Sequence, residues 1–198
     1  MSPSDIRETL IERTITVIAN DGLDKTTTKA IVTGTNINEA YIYRHFSGKE
    51  DLLAKTFEKL DEELMAKAIQ YLDVMYLHEM NFEIRCRIYF TKIWEFLLGN
   101  RKKCLTFVRY YYSSYFQRYS AKAHKQRYAP LVEKFKQVFK DEADVWMILN
   151  HILNVMFSFS VLVHNGEMPE EDNYAEHVFR VIYASIKQYF RKKQESSF

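Results

Sequence analysis

The stretch TTTKAIVTGTNINEAYIYRHFSGKEDLL, from Thr26 to Leu53, constrains the chain most. It spells two short helices parted by a tight break and running into a third. Thr26, Thr27 and Thr28 can each close a helix start, because a threonine hydroxyl accepts from an unpaired first-turn amide. Ala30, Ile31 and the methyl of Thr33 or Thr35 supply one apolar side. Gly34 to Asn36 breaks the run, and Asn36 is expected to take the left-handed turn, since Asn tolerates positive φ better than any residue but Gly. Asn38 can cap the next helix, which is about two turns long. Ile42 points inward by its spacing from Ile37 and Phe46, leaving Glu39, Ala40, Tyr41, Tyr43, Arg44 and His45 to face outward. A short helix too polar for a core, set against another by a turn, is the pattern of a helix-turn-helix that enters a major groove.

These residues resemble the DNA-binding domain of the TetR family of bacterial transcriptional regulators. The resemblance lies in Thr27-Thr28, then Thr35-Asn36-Ile37-Asn38, then Ile42-Tyr43-Arg44-His45-Phe46, then Lys49-Glu50-Asp51-Leu52-Leu53. Asn36 stands for the family's usual Gly and Asn38 for its usual Ser. His45 replaces an aromatic, and Tyr41 sits where a small Thr is common. The resemblance implies an all-α protein: a three-helix DNA-binding domain over 1–48, and a larger helical effector-binding and dimerisation domain over 49–198. It implies a homodimer on a palindromic operator, usually a repressor, with the last two long helices paired across a four-helix seam. The middle helices would enclose a small effector that changes the spacing of the two reading heads. The candidate DNA contacts are Thr27, Thr28, Lys29, Asn38, Glu39, Ala40, Tyr41, Tyr43, Arg44, His45 and Lys49. Of these, Thr28, Lys29, Tyr43 and Lys49 are expected on phosphate, and Glu39, Tyr41, Arg44 and His45 on base edges.

Composition agrees with long helices. Hydrophobic content is 47% and only 5 Gly and 3 Pro punctuate 198 residues, too few for a many-stranded fold. Net charge is +2, so whole-chain charge gives no support for a nucleic-acid partner. Residues 1–50 carry 6 basic against 7 acidic side chains, so any DNA-binding charge there must be sorted onto one face. Cys86 and Cys104 sit in apolar helical context, where a reduced thiol is the default. The start, MSPSDIRETL, lacks the layout of a signal peptide, and a cytoplasmic protein is expected.

The first helix carries Ile6, Leu10, Thr14 and Val17 at helical spacing, joined by Ile11 and Ile18, and stops at Asn20-Asp21-Gly22. A small core of Ile6, Leu10, Val17, Ile31, Ile42 and Phe46 is expected. After the Ser47-Gly48 hinge, Leu53, Phe57, Leu60, Leu64, Ala68 and Leu72 mark a long amphipathic helix, with Asp51/Lys55 and Lys59/Glu63 on a solvated face. Phe82–Leu98 reads as a helix buried on nearly all sides. Arg101-Lys102-Lys103 opens a further helix through Tyr119, with the basic triplet as a solvated start. Pro130 predicts a kink, or a new helix near Ala129, within Ala121–Lys140. Asp141–His164 is the most apolar segment, but Asn150, His151, Asn154, Ser158 and Ser160 interrupt it, so core or interface is expected rather than a membrane span. A last amphipathic helix begins near Tyr174, and a tail begins at Arg191-Lys192-Lys193.

No catalytic motif appears: there is no G-x-G-x-x-G, P-loop, G-x-S-x-G, C-x-x-C or H-E-x-x-H. The six His are scattered without metal spacing, so neither a metal nor a cofactor is expected. The tyrosines and phenylalanines exceed what one helical seam needs. They read either as ordinary core or as the wall of a cavity for a neutral, hydrophobic molecule, lined from Trp94, Phe107, Tyr110, Tyr111, Tyr115, His151 and Met156. His151 and Asn154 serve equally as a buried hydrogen bond across a dimer seam. That seam is expected at Val155, Phe159, Leu162, Val178, Ile182 and Ile186. The alternatives are a helical enzyme, or an adaptor bundle with a non-functional DNA head.

Overall fold

The first helix is wanted on two sides, and the fold of the N-terminal half follows from that. A computed structural model of the chain describes residues 3–192. Among them lie nine α-helices and no strand: α1 (Pro3–Asp21), α2 (Thr28–Val32), α3 (Ala40–His45), α4 (Lys49–Gln70), α5 (Phe82–Gly99), α6 (Arg101–Tyr111), α7 (Ala121–Phe135), α8 (Val145–His164) and α9 (Asp172–Ile186). Lys193, the last of the basic triplet at which the expected tail begins, and the residues after it lie outside the described residues. By contact the chain divides into two compact units, Met1–Leu64 with Arg101–Gln126, and Met65–Asn100 with Arg127–Phe198.

In the first unit α1 packs against α2 and α3 on one side and α6 on the other. Leu10, Ile11, Ile15, Val17 and Ile18 are therefore all buried; of these, Ile15 alone was not read from sequence. Ile6 is only half-buried at the rim. Arg13 donates to the carbonyls of Ile31 (3.3 Å) and Thr33 (2.7 Å), meeting acceptors that the end of α2 leaves over. Thr106 Oγ1 donates to the Ile15 carbonyl at 2.9 Å, and Arg109 donates to that of Ile18.

Several charges expected to be solvated are cross-links instead. Lys59 of α4 bonds Glu8 and Glu12 of α1, and Lys103 of α6 bonds Glu63 of α4 at 2.6 Å. Burial pulls the Lys59 ammonium down, but its bonds to Glu12 and Glu8 outweigh this and hold it above its ordinary value. Lys55 pairs with Glu58 rather than Asp51, because Asp51 turns back to accept the Ser47 amide at 2.9 Å. The centre of the unit is Phe57, whose ring lies 4.9 Å from both Phe107 and Tyr110 and 5.4 Å from Phe116.

Two helix ends differ from expectation. α6 stops at Tyr111, not Tyr119, because Ser113 Oγ donates to the Tyr110 carbonyl at 2.6 Å and the chain re-enters through a π turn, Phe116–Ser120. α7 runs through Pro130 without a break. Pro130 and Gln126, whose carbonyl the ring displaces, are both on the exposed side, where water meets the freed acceptor.

The second unit is built on α5, which packs against α8 and α9. Arg85 is fully buried and donates to the Met75 carbonyl at 2.7 Å, its guanidinium 5.0 Å from the Phe82 ring centre. Ile84, within the helix expected to be buried on nearly all sides, is 47% exposed, so α5 is not buried all round. Burial pushes the Cys86 thiol up to about 12, which leaves it unreactive. α8 begins on Asp144, whose carboxylate accepts the Met147 amide at 2.9 Å. It is long and apolar enough to cross a membrane, yet Val145, Ile148, Leu149, Met156, Phe157 and Val163 are core residues. An antiparallel bridge pairs Phe139 with Phe190, closed by Lys140 N–H to the Tyr189 carbonyl (2.8 Å) and Arg191 N–H to that of Val138 (3.1 Å).

The two apolar positions make opposite tests of this packing. Phe57→Ala is expected to destabilise by about 3–5 kcal/mol, and Ile84→Ala by less than about 0.5 kcal/mol. Urea midpoints followed by far-UV circular dichroism measure both. Similar shifts for the pair would contradict the assignment of core and surface.

Candidate nucleic-acid interface

The polar short helix is held by capping more than by burial. Thr27 Oγ1 accepts the Ala30 amide at 3.1 Å and starts α2. The turn after α2 uses Gly34, at φ +77, and not Asn36, since no non-glycine residue among those described has positive φ. Glycine has no Cβ to oppose that conformation. Thr35 fixes the turn: its hydroxyl donates to the Val32 carbonyl at 2.7 Å and accepts the Ile37 amide at 3.1 Å. Asn38 Oδ1 accepts the Ala40 amide at 3.1 Å, the expected cap of α3. Ile37, Ile42 and Phe46 are buried and anchor α3 from beneath.

The outer side of this assembly is Lys29, Asn38, Glu39, Ala40, Tyr43 and Arg44, with Tyr41 and His45 half-buried at its edges. Tyr43 is 64% exposed. Two contacts order the outer side. Thr28 Oγ1 donates to the Glu39 carboxylate, joining the start of α2 to the start of α3. Arg44 lies with its guanidinium 5.0 Å from the Tyr41 ring centre, a cation–π contact that restricts a long side chain. Lys49 Nζ, at the start of α4, is 5.9 Å from the Tyr115 ring centre. An exposed fork, an exposed phenol and a row of short polar groups on one rigid element suit a groove lined with acceptors and phosphates.

The residues expected to line an effector cavity divide between the two units. Phe107, Tyr110 and Tyr111 join the Phe57 cluster of the first unit. Phe107 and Tyr110 pack on the Phe57 ring, Tyr111 stacks on Phe107, and the Tyr110 hydroxyl meets that of Ser120 at 3.0 Å. Burial raises the phenols of Tyr110 and Tyr111 above their ordinary values, so both stay protonated near neutral pH. Tyr115 lies apart from that cluster, beside a hollow of about 170 Å³ shared with Glu50, Ser114, Arg118 and Tyr119. In the second unit Met156 is buried and Trp94 borders a groove of about 360 Å³ with Leu98, Pro169 and Tyr174. His151 is exposed, its Nε2 2.8 Å from the Ser185 hydroxyl.

Sequence reasoning missed the polar centre of the aromatic cluster. Asp61 is fully buried, with both carboxylate oxygens 3.0 and 3.1 Å from His124 Nδ1. The imidazole lies 5.6 Å from the Tyr111 ring and 5.5 Å from Phe116. The available signal was an acid four residues after Phe57, on the apolar stripe of α4. Among the described residues no group of three or more His, Cys, Asp or Glu is arranged to hold a metal.

Of the expected seam residues, Val155, Phe159 and Leu162 are half-buried on α8. Val178, Ile182 and Ile186 are already buried within this chain, because α9 turns that stripe toward its own core. The outward row of α9 is His177, Val181, Ala184 and Ser185.

Residues 10–56 match the model of the family described as bacterial regulatory proteins, tetR family. No curated protein matches the chain in sequence. Solved structures match it in fold. A TetR family transcription regulator from Marinobacter aquaeolei VT8 is 15% identical with TM-score 0.74, over 92% of this chain and 95% of that one. A second, from Shewanella sp. PV-4, is 13% identical with TM-score 0.72, over 91% and 97%. The transcriptional regulator FadR from Bacillus subtilis, solved in complex with stearoyl-CoA, is 16% identical with TM-score 0.66, over 88% and 96%. Residues 10–56 thus match the tetR family model, and the chain around them has the fold of TetR-family transcriptional regulators.

Proposed function

We propose that this regulator is a ligand-responsive repressor that binds palindromic operator DNA as a homodimer in the cytoplasm and is released by a small hydrophobic effector. The observation that carries the DNA reading is α3 itself. It is six residues long, buries Ile42 alone, and offers Tyr43 and Arg44 outward in a frame set by Thr28–Glu39 and Arg44–Tyr41. The helical-enzyme alternative falls with the family, whose members are non-enzymatic DNA-binding proteins.

In this reading residues 1–48 are the DNA-binding domain and 49–198 the effector-binding and dimerisation domain. Thr28, Lys29, Tyr43 and Lys49 position the duplex on its phosphates, Glu39, Tyr41, Arg44 and His45 face the bases, and Thr27, Asn38 and Ala40 complete the DNA-facing set. Arg44→Ala should cost about 1–3 kcal/mol on the operator and relax specificity, whereas Lys49→Ala should weaken all sequences alike and lower the salt slope by about one. Titrations against a selected genomic operator and against random duplex separate the two. An equal loss on both DNAs for Arg44→Ala would remove it from the reading set.

For the homodimer, the support is the outer face of α8 and α9. Met147 is 50% and Val181 56% exposed in the single chain, apolar surface beside the half-buried Val155, Phe159 and Leu162. Val178, Ile182 and Ile186 hold α9 beneath the seam. A two-fold dimer predicts half-sites about 34–36 Å apart or a multiple of that. Val181→Glu with Val155→Lys should give monomer or aggregate by sedimentation velocity, and an unchanged dimer would put the seam elsewhere.

For the effector, we take Phe107, Tyr110 and Tyr111 as the heart of a site in the first unit, with Tyr115 at the neighbouring hollow; Trp94, Met156 and His151 belong to the second unit and are outside it. The support is surplus aromatic surface around Asp61–His124, and a similar fold, FadR, solved with stearoyl-CoA. A molecule entering the Phe57 cluster presses on α4, whose first residue is Lys49. The ligand shifts the equilibrium only by its preference for the DNA-incompetent state, and a full switch needs about 5 kcal/mol of preference. Tyr111→Ala should alter effector-driven operator release without changing effector-free affinity. A wild-type response in that variant would make the tyrosines ordinary core.

A further inference from the structure

The N-terminal sequence poses an electrostatic problem that the first unit answers from elsewhere in the chain. Residues 1–64 hold 8 basic and 12 acidic side chains, a net −4, which would repel a duplex. Residues 101–126 complete the same unit with 7 basic side chains and no acidic one, bringing it to +3. Some of these charges are spent internally. Lys103 is bonded to Glu63, and Arg109 to the Ile18 carbonyl. Arg118, Lys122 and Lys125 are exposed and make no ion pair among the described residues. They follow one another at i, i+4 and i+7, so they share a face where the π turn enters α7.

Two contacts fix where that face begins. Lys103 at the start of α6 meets Glu63, and Tyr115 beyond its end meets Lys49. α6 therefore runs antiparallel to α4, and the segment after it lies at the Lys49 end. The hollow there is lined by Glu50, Ser114, Tyr115, Arg118 and Tyr119, with Glu50 its one carboxylate. Tyr119 stacks on Tyr115 and carries Arg118 against its face, and both Tyr112 and Tyr119 are exposed. Guanidinium, ammonium and phenol groups side by side are donors to phosphate oxygen.

We propose that the segment 112–125 is a second, sequence-independent phosphate grip, continuous with Lys49, that holds the duplex flanking the site read by α3. This rests on the DNA-binding reading above. Arg118 and Lys122 carry the grip, Tyr112 and Tyr119 add neutral donors, and Lys125 extends it away from Lys49.

The test measures the salt dependence of full-length protein on random-sequence duplex DNA, for wild type, Arg118→Gln/Lys122→Gln and Lys102→Gln. Lys102 is an exposed charge at the opposite end of α6. Removing one cation from a phosphate should lower the slope of log K against log[salt] by about 0.9. The double variant should therefore lose about two per protomer, keep its ratio of operator to random affinity, and differ from Lys102→Gln, which should match wild type. Wild type that binds duplex with a slope indifferent to Arg118 and Lys122, or lowered as much by Lys102→Gln, overturns this inference and leaves the DNA reading standing. Wild type that retains no duplex at all overturns both.

Discussion

The two-sided burial of α1 is the constraint from which the first unit follows. A helix with one apolar stripe could seat α2 and α3 and leave its back to water. Here Ile11, Ile15 and Ile18 are buried as well as Leu10 and Val17, so a second partner is obligatory, and α6 supplies it. The polar bonds then follow the packing. Arg13 finishes α2, Thr106 and Arg109 hold α6 to the α1 backbone, and Lys59 ties α4 to two α1 carboxylates. The short α2 and α3, too brief to be stable alone, thereby rest on a frame assembled from residues more than ninety positions apart.

Much of this frame was legible in local sequence, and what was not shares a reason. The caps at Thr27 and Asn38 depend on a hydroxyl or amide within three residues of its amide. The inward Ile42 depends on spacing alone. Periodicity, however, names a face and not what covers it. It gave α1 its apolar residues without a second partner, because that partner is some ninety residues away. It left Lys59 and Lys103 in solvent because their carboxylates lie on other helices. Pro130 shows a different limit: the cost of a proline depends on whether its freed carbonyl meets water, which only the fold decides. At the candidate DNA face the outward residues were readable one by one. The Thr28–Glu39 pairing required the angle between two helices that the sequence does not state, whereas Tyr41 and Arg44 lie three residues apart on α3 itself.

Charge in this chain is sorted by structure rather than by region. A nearly neutral sequence has an acidic start and a basic middle, and the fold brings both into one unit. Glu8, Glu12 and Glu63, which would count against a polyanion, are neutralised by Lys59 and Lys103. The exposed balance of the unit is thus more positive than its N-terminal sequence suggests.

The Asp61–His124 pair has a consequence for how the protein can vary. It joins α4 to α7 inside an aromatic shell, and each partner is buried where no solvent can replace the other. Changing one alone deprives a buried polar group of its main partner, at a cost on the order of 1–3 kcal/mol. Changing both to apolar residues of similar volume is often neutral. The two positions therefore behave as a single inherited character. Descendants of this chain would keep the pair or lose it whole, and any repacking of this aromatic shell must cross that step in one move or carry a destabilised intermediate.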